Sequence, residues 1–282
     1  SGALESEVAE IQARFGPLPF HQLDQRSNEN GTRVVSWRTR SQTRSRTTVD
    51  GSGRISAPAS QVVVTDRLRN RPYAQTVIED VEVLDVALTP DNTRLAVVGR
   101  YLFGGGAVAV YQVKRQTCEL IAHRIVPGVE INTVAFGPEG ETLLVGADAD
   151  VHILDARSLE PPGLKQGAPG PAQGLHFPAN VRMVVGASRP RQGLSNLAVL
   201  AERTVWLVNL QNPAARIACQ HDGKVLHGAF SADGEEFISC GDDRTARVWN
   251  VRTGVPVCRP IVHATAMKYA AFLEDRSKVV TV

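Results

Sequence analysis

Residues 221–262 read HDGKVLHGAFSADGEEFISCGDDRTARVWNVRTGVPVCRPIV, and this stretch decides how the rest of the chain is interpreted. Apolar residues alternate in Val225–Phe230, over 237–240 and in Thr245–Asn250, and 257–261 supplies a fourth short apolar run. Asp and Gly residues lie between the runs, and they favour tight turns. The pattern predicts four short antiparallel strands connected in order.

The same pattern recurs 42 residues further along the chain. Four pairs of residues match after this shift: His221 with His263, Phe230 with Phe272, Asp233 with Asp275, and Ser239 with Thr281. The unit resembles a WD repeat, the four-stranded blade of a β-propeller, with Trp249-Asn250 at the Trp-Asp position. WD repeats recur about every 40–45 residues. The resemblance covers roughly 20–282 and is most specific in 221–282.

Two sets of landmarks repeat at a similar spacing along most of the chain. The apolar anchors predicted for the first strands are Leu88, Phe136, Phe177, Phe230 and Phe272, and the predicted third-strand ends are Asp66, Gln112, Asp155, Asn209 and Asn250. Both sets show one longer interval, which we assign to an insertion at 188–196 in the fourth blade. In that blade, 197–201 competes with 181–187 for one strand. The repeat favours a propeller over a two-sheet sandwich or an α/β fold.

We therefore predict an all-β, WD-repeat-like β-propeller with five four-stranded blades and the start of a sixth. The domain would span 20–282, with blades near 20–79, 82–126, 130–168, 171–221, 223–263 and 265–282. Residues 1–19 would hold a short helix and a linker, because Leu4, Val8, Ile11 and Phe15 share one helical face before Gly16-Pro17. The half blade at the end predicts a fragment of a larger propeller that self-associates through an unpaired strand edge.

The composition excludes some classes of partner. The chain has 282 residues, 43% of them hydrophobic, and a net charge of +2, so no overall field attracts a nucleic acid or a membrane. The four cysteines lack the spacing of a zinc site, and we expect them to be reduced. No signal peptide or long apolar segment is present in the sequence, which predicts a cytoplasmic protein.

Four residues of the repeat at 221–262 match the structural tetrad of WD repeats. They are His221, Ser239, Asp243 and Trp249, and the resemblance implies that hydrogen bonds link them inside the blade. His, Ser and Asp would also form a hydrolase triad, but no G-x-S-x-G elbow surrounds Ser239. We predict a buried polar network and no enzyme activity. In blades two, three and four we expect Val97, Val145 and Gly186 at the Ser239 position.

Other sequence features favour ordinary structural roles. Gly104-Gly105-Gly106 lacks the phosphate-loop pattern and is predicted to be a hairpin loop. Asp148 and Asp150 lack the calcium-loop pattern and are predicted to lie in a turn. The histidines His123, His152 and His176 have no metal-ligand partners at short spacing. We therefore predict no metal site and no cofactor.

The segment 38–54 is rich in Arg, Ser and Thr, and it is the one stretch with a functional alternative. Residues 31–71 contain nine arginines against Asp50 and Asp66. We interpret 38–54 as a solvated insertion. Alternatively it contacts a protein partner or carries a phosphorylation site, or it contacts nucleic acid or another phosphate polymer, although no aromatic residues interleave its arginines. The candidate binding residues are Arg38, Arg40, Arg44, Arg46 and Arg54.

The resemblance implies a non-catalytic scaffold that binds protein partners through its loops. Segment 252–257 resembles WD repeats of bacterial type, which are often attached to Ser/Thr kinase or other signalling domains. The chain is therefore expected to be a module of a larger signalling protein, with the sensor region of a Ser/Thr kinase as an alternative. An enzyme that uses the central channel would need acidic or His residues gathered from several blades, and the sequence shows no such set.

Overall fold

The structure is a computed structural model that describes residues 24–27, 33–39, 59–66, 68–69, 71–137, 139–161, 174–189, 193–210, 212–273 and 278–282. All regular structure within these ranges is β-strand. The all-β class and the four-stranded antiparallel blades predicted from the sequence are confirmed. The predicted helix at 3–15 lies outside the described residues. Among the described residues, no helix has the length and apolarity needed to cross a membrane.

The strands divide into two compact units, residues 1–128 and residues 129–282. The first unit contains the first two blades. Blade one consists of β1 (Asp24–Ser27), β2 (Arg33–Thr39), β3 (Ala59–Asp66) and β4 (Arg71–Glu79). Blade two consists of β5 (Val81–Leu88), β6 (Arg94–Tyr101), β7 (Gly106–Val113) and β8 (Gln116–Val126).

The two blades of the first unit form one eight-stranded sheet. Its order is β1-β2-β3-β4-β8-β7-β6-β5, so the fourth strands of the two blades are neighbours. They pair in parallel over two residues only, Ala74 with Gln116 and Gln75 with Thr117. The sequence predicted separate blades and did not predict this link. Alternating Val, Leu and Ile residues of both blades form a common core, which includes Val35, Val62, Val86, Leu95 and Val97.

The second unit contains three four-stranded sheets and one two-stranded sheet. Blade three is β9 (Ile131–Phe136), β10 (Thr142–Ala147), β11 (Asp150–Asp155) and β12 (Leu175–His176). Blade four is β13 (Val181–Arg189), β14 (Gly193–Ala201), β15 (Thr204–Asn209) and β16 (Arg216–Gln220). Blade five is β17 (Val225–Phe230), β18 (Glu236–Gly241), β19 (Thr245–Asn250) and β20 (Ile261–Val262), and β21 (Ala270–Phe272) pairs with β22 (Val279–Thr281).

The predicted start of blade four is wrong. Residues 175–176 form the fourth strand of blade three, where Leu175 pairs with Val151 and His176 with Asp150. Phe177 is therefore not a first-strand anchor, and the boundary between these two blades lies between 176 and 181. The first strand of blade four is β13. A two-residue strand is too short to show an alternation, so the sequence alone cannot distinguish a fourth strand from a first one.

The insertion expected at 188–196 is largely an extended hairpin. β13 and β14 remain paired as far as Ser188 with Leu194 and Arg189 with Gly193. The competing segments 181–187 and 197–201 are both strands, and Gly186 pairs with Leu197. Additional residues also precede β13, where 162–173 lie outside the description. The longer interval in the repeat therefore has two sources.

Candidate functional site

The four predicted tetrad residues come from four different places in and next to blade five. His221 lies in the segment between β16 and β17, Ser239 lies on β18, Asp243 lies in the turn between β18 and β19, and Trp249 lies on β19. Ser239 and Trp249 are placed by the register of the β18–β19 ladder, in which Phe237 pairs with Trp249 and Ser239 with Arg247. Antiparallel pairing therefore brings residues distant in sequence to one place.

The structure joins the four side chains by hydrogen bonds. The indole Nε1 of Trp249 donates to the Ser239 hydroxyl Oγ at 2.7 Å. Ser239 Oγ lies 2.7 Å from His221 Nε2, and His221 Nδ1 lies 2.9 Å from a carboxylate oxygen of Asp243. The indole can only donate and the carboxylate can only accept. The direction of the chain is therefore fixed: Trp249 donates to Ser239, Ser239 to His221, and His221 to Asp243.

This directed chain assigns the state of the imidazole. Ser239 uses its single proton toward His221 Nε2, so Nε2 is the acceptor and Nδ1 carries the hydrogen. Burial lowers the pKa of His221, and this effect outweighs the hydrogen bond and the charge of Asp243, which act in the opposite direction. A protonated ring would also point a second N–H at a hydroxyl whose own proton faces it. We conclude that His221 is neutral at neutral pH.

Asp243 collects several donors in one tight turn. Besides His221, it accepts hydrogen bonds from the Thr245 backbone N–H at 3.0 Å, the Thr245 hydroxyl at 2.8 Å and the Asp222 backbone N–H at 3.1 Å. Burial alone would raise the pKa of Asp243, but the hydrogen bonds from Thr245 and His221 lower it to about 2. The carboxylate therefore stays charged and fixes the turn.

The tetrad lies beneath a surface made of turns and entry segments, which we call the loop surface. It comprises the turns at 148–149, 202–203 and 242–244 and the entry segments at 177–181 and 221–225. Backbone hydrogen bonds join these pieces: the N–H of Phe177 donates to Ala149, Val181 to Asp148, His221 to Arg203, Val225 to Glu202, and Asp242 to Lys224. Each entry segment is therefore tied to the turn of a blade beside it.

Gly241 allows the turn after β18 to approach the entry segment at 221–225 closely. A side chain at Gly241 would meet the carbonyl oxygen of Lys224 at 2.4 Å, close to the carbonyl's bond with the Asp242 N–H. Real Cβ contacts are not this short, so only glycine lets the turn approach the entry segment here. The end of β18 is thus adapted to hold the loop surface.

Arg247 attaches an exposed acidic residue to the buried network. Its guanidinium donates to the carbonyl of Gln220 at 2.9 Å and to the carboxylate of Asp222 at 2.5 Å, and it lies 3.6 Å from Asp243. The Arg247 side chain is 18% exposed and that of Asp222 is 85% exposed. The sequence pattern alone did not point to Arg247. Arg247 lies two residues before Trp249, on the strand that pairs with Ser239, and this spacing could have identified it.

The first half of a second network is present 42 residues later. His263 Nε2 lies 3.0 Å from the hydroxyl of Thr281, as His221 Nε2 lies beside Ser239. The backbone N–H of His263 also donates to Arg244, which repeats the bond from His221 to Arg203. The internal match predicted from the sequence thus corresponds to an equivalent arrangement in space.

Blades two, three and four have apolar residues where blade five has Ser239. In blade two Val97 pairs with Ala109, and in blade three Val145 pairs with His152. Both pairs join the second and third strands at the position where Ser239 pairs with Arg247 in blade five. Gly186 was wrongly assigned to this position, because it lies on the first strand of blade four. The residue at the Ser239 position there is Val199, which pairs with Trp206.

Blade four replaces the whole network by apolar contacts. Phe177 occupies the position equivalent to His221. Its backbone N–H donates to Ala149, just before the third strand of blade three, as the N–H of His221 donates to Arg203, just before the third strand of blade four. Val199 stands for Ser239, and Val208 stands for Trp249 by the β14–β15 register. All three side chains are buried in one core cluster. The sequence missed this substitution because Phe177 was interpreted as part of a strand.

The tetrad residues that resemble a hydrolase triad are closed to solvent. Ser239 is 0% exposed, and both Ser239 Oγ and His221 Nε2 are occupied, so this Ser–His–Asp set cannot reach a substrate. Among the described residues, no group of three or more His, Cys, Asp or Glu side chains could hold a metal ion. Gly104 and Gly105 have positive φ in the β6–β7 hairpin, and Asp148 lies in the β10–β11 turn.

The structure describes little of the Arg-rich segment. Arg38 lies on β2, where it pairs with Gln61. The other four candidates, Arg40, Arg44, Arg46 and Arg54, lie outside the described residues. The alternatives for this segment therefore stay predictions.

We expect Asp243→Ala to lower the free energy of unfolding by about 1–3 kcal/mol, because it leaves buried donors of His221 and Thr245 without their acceptor. Urea denaturation monitored by circular dichroism measures the change. Exposed Asp242 is the matched control, and Asp242→Ala should change the free energy by less than about 0.5 kcal/mol. Equal effects of the two substitutions would contradict the role given to Asp243.

We expect acid to weaken the tetrad in two steps. Folding favours neutral His221, so its contribution is lost as the pH falls below about 6.5, the ordinary histidine pKa. Folding also favours charged Asp243, so that contribution is lost between the ordinary value of 3.8 and about 2. The free energy of unfolding should therefore fall between about pH 7 and pH 5 in the wild type. His221→Phe should show a flatter dependence, and an unchanged slope would refute the neutral assignment.

Comparison with known families supports the interpretation of blade five. Residues 215–250 match the family model "WD domain, G-beta repeat", and this match contains all four tetrad residues. No curated protein matches the chain closely enough to be counted as a relative. WD40 repeats generally mediate protein–protein interactions and are generally non-catalytic. The match at 215–250 and the four-stranded blades therefore support the resemblance of the chain to WD-repeat proteins.

Proposed function

We propose that the chain is a non-catalytic scaffold that binds a protein partner through the loop surface of its second unit. The observation that carries this proposal is the connection of exposed loop residues to a buried, fully directed hydrogen-bond network. A surface held in this way loses little conformational entropy when a partner binds, and such preorganisation favours affinity.

Exposed charges give the loop surface its selectivity. Glu202, Arg203, Lys224, Asp242 and Arg244 are all exposed in the turns and entry segments. Charged rim residues steer association and exclude partners of the wrong charge pattern. We infer a partner whose contact surface carries charges of both signs. Membership of a larger signalling protein rests on the resemblance of segment 252–257 alone.

The proposal is tested by charge reversal on the loop surface. Purified wild-type protein is immobilised and exposed to cell extract, and captured proteins are identified by mass spectrometry after chemical cross-linking. The double variant Glu202→Lys/Asp242→Lys should lose the specific cross-linked partners of the wild type. Its melting temperature should stay close to that of the wild type, because both side chains are exposed.

The matched control reverses two charges at the other end of the strands. Glu139 lies in the β9–β10 turn and Glu160 follows β11, and both are exposed. Glu139→Lys/Glu160→Lys should capture the same partners as the wild type. An identical set of captured proteins for all three proteins would overturn the proposal.

A further inference from the structure

The first unit contains a cleft between its two blades, where β4 and β8 diverge. It has a volume of about 250 Å³, and its lining includes Val77 on blade one and the blade-two residues Val81, Tyr101, Tyr111, Leu120 and Ile125. We call it the outer cleft. Its floor is well buried, since Val108 and Tyr111 are 2% and 8% exposed. Its mouth is open, and Leu120 and Ile125, which are 52% and 39% exposed, lie there beside the exposed Glu79, His123 and Arg124.

One wall of the outer cleft is the edge of a long strand. β8 runs from Gln116 to Val126, and β7 pairs with it along one side. On the other side, β4 pairs with Gln116 and Thr117 and then diverges. In the part of the chain that the structure describes, no strand pairs with this side of β8 beyond Thr117. The edge already accepts one short parallel ladder, and the cleft begins where that ladder ends.

β8 combines an edge that is unpaired over most of its length in the described part of the chain with several exposed apolar side chains. Edge strands are commonly short or carry charges that discourage pairing. β8 carries the exposed charged residues Glu119 and Arg124, but Leu120, Ile121 and Ile125 are exposed as well. Strand addition uses such an edge: the backbone of the added peptide forms hydrogen bonds with it, and alternate side chains enter pockets.

The size and shape of the cleft select among possible occupants. Its volume lies below the roughly 300–1,000 Å³ of typical small-molecule sites, so a cofactor is a poor fit. A helix has a diameter of about 10–12 Å and satisfies its own backbone groups, so it would leave the β8 edge unused. An extended peptide matches both features, because it supplies backbone partners to β8 and apolar side chains to the floor.

We propose that the outer cleft binds an extended segment of a protein partner, with apolar residues at alternate positions, which continues the β4–β8 ladder by pairing with residues 118–126 of β8. This surface is separate from the loop surface and does not depend on it. Leu120 would form the edge of the pocket for one apolar side chain of the partner, and Val108 and Tyr111 would form the base.

The probe is a phage-displayed library of linear peptides selected on the full chain, and the best-enriched peptide is then synthesised. We expect enrichment of peptides with Val, Ile, Leu or Phe at every second position. Leu120→Asp should weaken binding of the synthetic peptide by at least about tenfold, since it replaces an apolar side chain at the mouth by a charge. Leu68→Asp is the control, because Leu68 is 90% exposed in the turn between β3 and β4.

Amide hydrogen exchange distinguishes strand addition from side-chain docking alone. Binding of the peptide should slow exchange within 118–126, because new backbone hydrogen bonds form there. Enrichment of no peptide, equal weakening by Leu68→Asp and Leu120→Asp, or protection confined to other strands would overturn the proposal. A homodimer that dissociates on Leu120→Asp in sedimentation experiments would also overturn it, since it would assign the edge to a second copy of the chain.

Discussion

Trp249→Ala should lower the free energy of unfolding of the second unit by about 3–5 kcal/mol. Trp249 is 4% exposed and packs in a core with Leu207, Phe237 and Val251. Its removal leaves a large cavity and takes away the donor that orients Ser239. We expect this loss of stability to be the largest for any tetrad residue, because it combines lost apolar packing with a lost hydrogen bond. Urea denaturation followed by circular dichroism measures it.

Trp249→Phe separates the two terms. The phenyl ring fills most of the space but cannot donate to Ser239, so only the hydrogen-bond part, about 1–2 kcal/mol, should be lost. Trp206 on β15 offers a further comparison, since it is only half-buried and no hydrogen bond from it to a serine is seen in the described part of the chain. If Trp249→Ala cost no more than Trp249→Phe, the packing contribution described here would be wrong.

The sequence predicts blade five well because its local signals agree with one another. Alternation, Asp-Gly turns and the four tetrad residues fall within 221–250, and the ladder between β18 and β19 needs only a tight turn to form. The repeat 42 residues later carries the same information, and His263 and Thr281 meet as His221 and Ser239 do. Pairing between strands that are joined by a short turn with Asp or Gly residues can therefore be predicted from the sequence.

Contacts between blades were much harder to predict. The parallel pairing of Ala74 with Gln116 joins strands of two different blades, and nothing in either local pattern specifies it. The position of β12 failed for a related reason, since two residues at the end of a long connection carry no periodicity. Arg247 was not predicted because its partner Gln220 ends β16 of blade four and its partner Asp222 lies in the connection to blade five. Contacts of this kind follow no spacing rule in the sequence.

Blades four and five show two solutions to the same structural problem. Each entry segment must be fixed to the second and third strands beside it. Blade five uses hydrogen bonds that require a precise set of donors and acceptors, whereas blade four uses the apolar set Phe177, Val199 and Val208. The polar solution gives direction and rigidity. The apolar solution relies on packing, and its strength can be measured directly.

Phe177→Ala should lower the free energy of unfolding of the second unit by about 3–5 kcal/mol, as expected for truncation of a fully buried aromatic ring. Phe177 is 0% exposed, its ring centroid lies 6.3 Å from that of Trp206, and the Arg216 guanidinium carbon lies 4.8 Å from its centre. Phe103→Ala is the matched control. Phe103 is 70% exposed, so the same truncation should cost about 0.5 kcal/mol or less.

A second substitution tests whether this position is truly apolar. Phe177→His restores the residue found at position 221, but Val199 and Val208 offer it no hydrogen-bond partner in the place of Ser239 and Trp249. A buried imidazole with an unsatisfied nitrogen costs roughly 1–3 kcal/mol in addition to the lost packing. Phe177→His should therefore be clearly destabilising and should become more so as the pH falls below about 6.5, because burial disfavours the charged ring. A histidine variant as stable as the wild type would show that blade four can form the polar network, and the distinction between the two blades would then be lost.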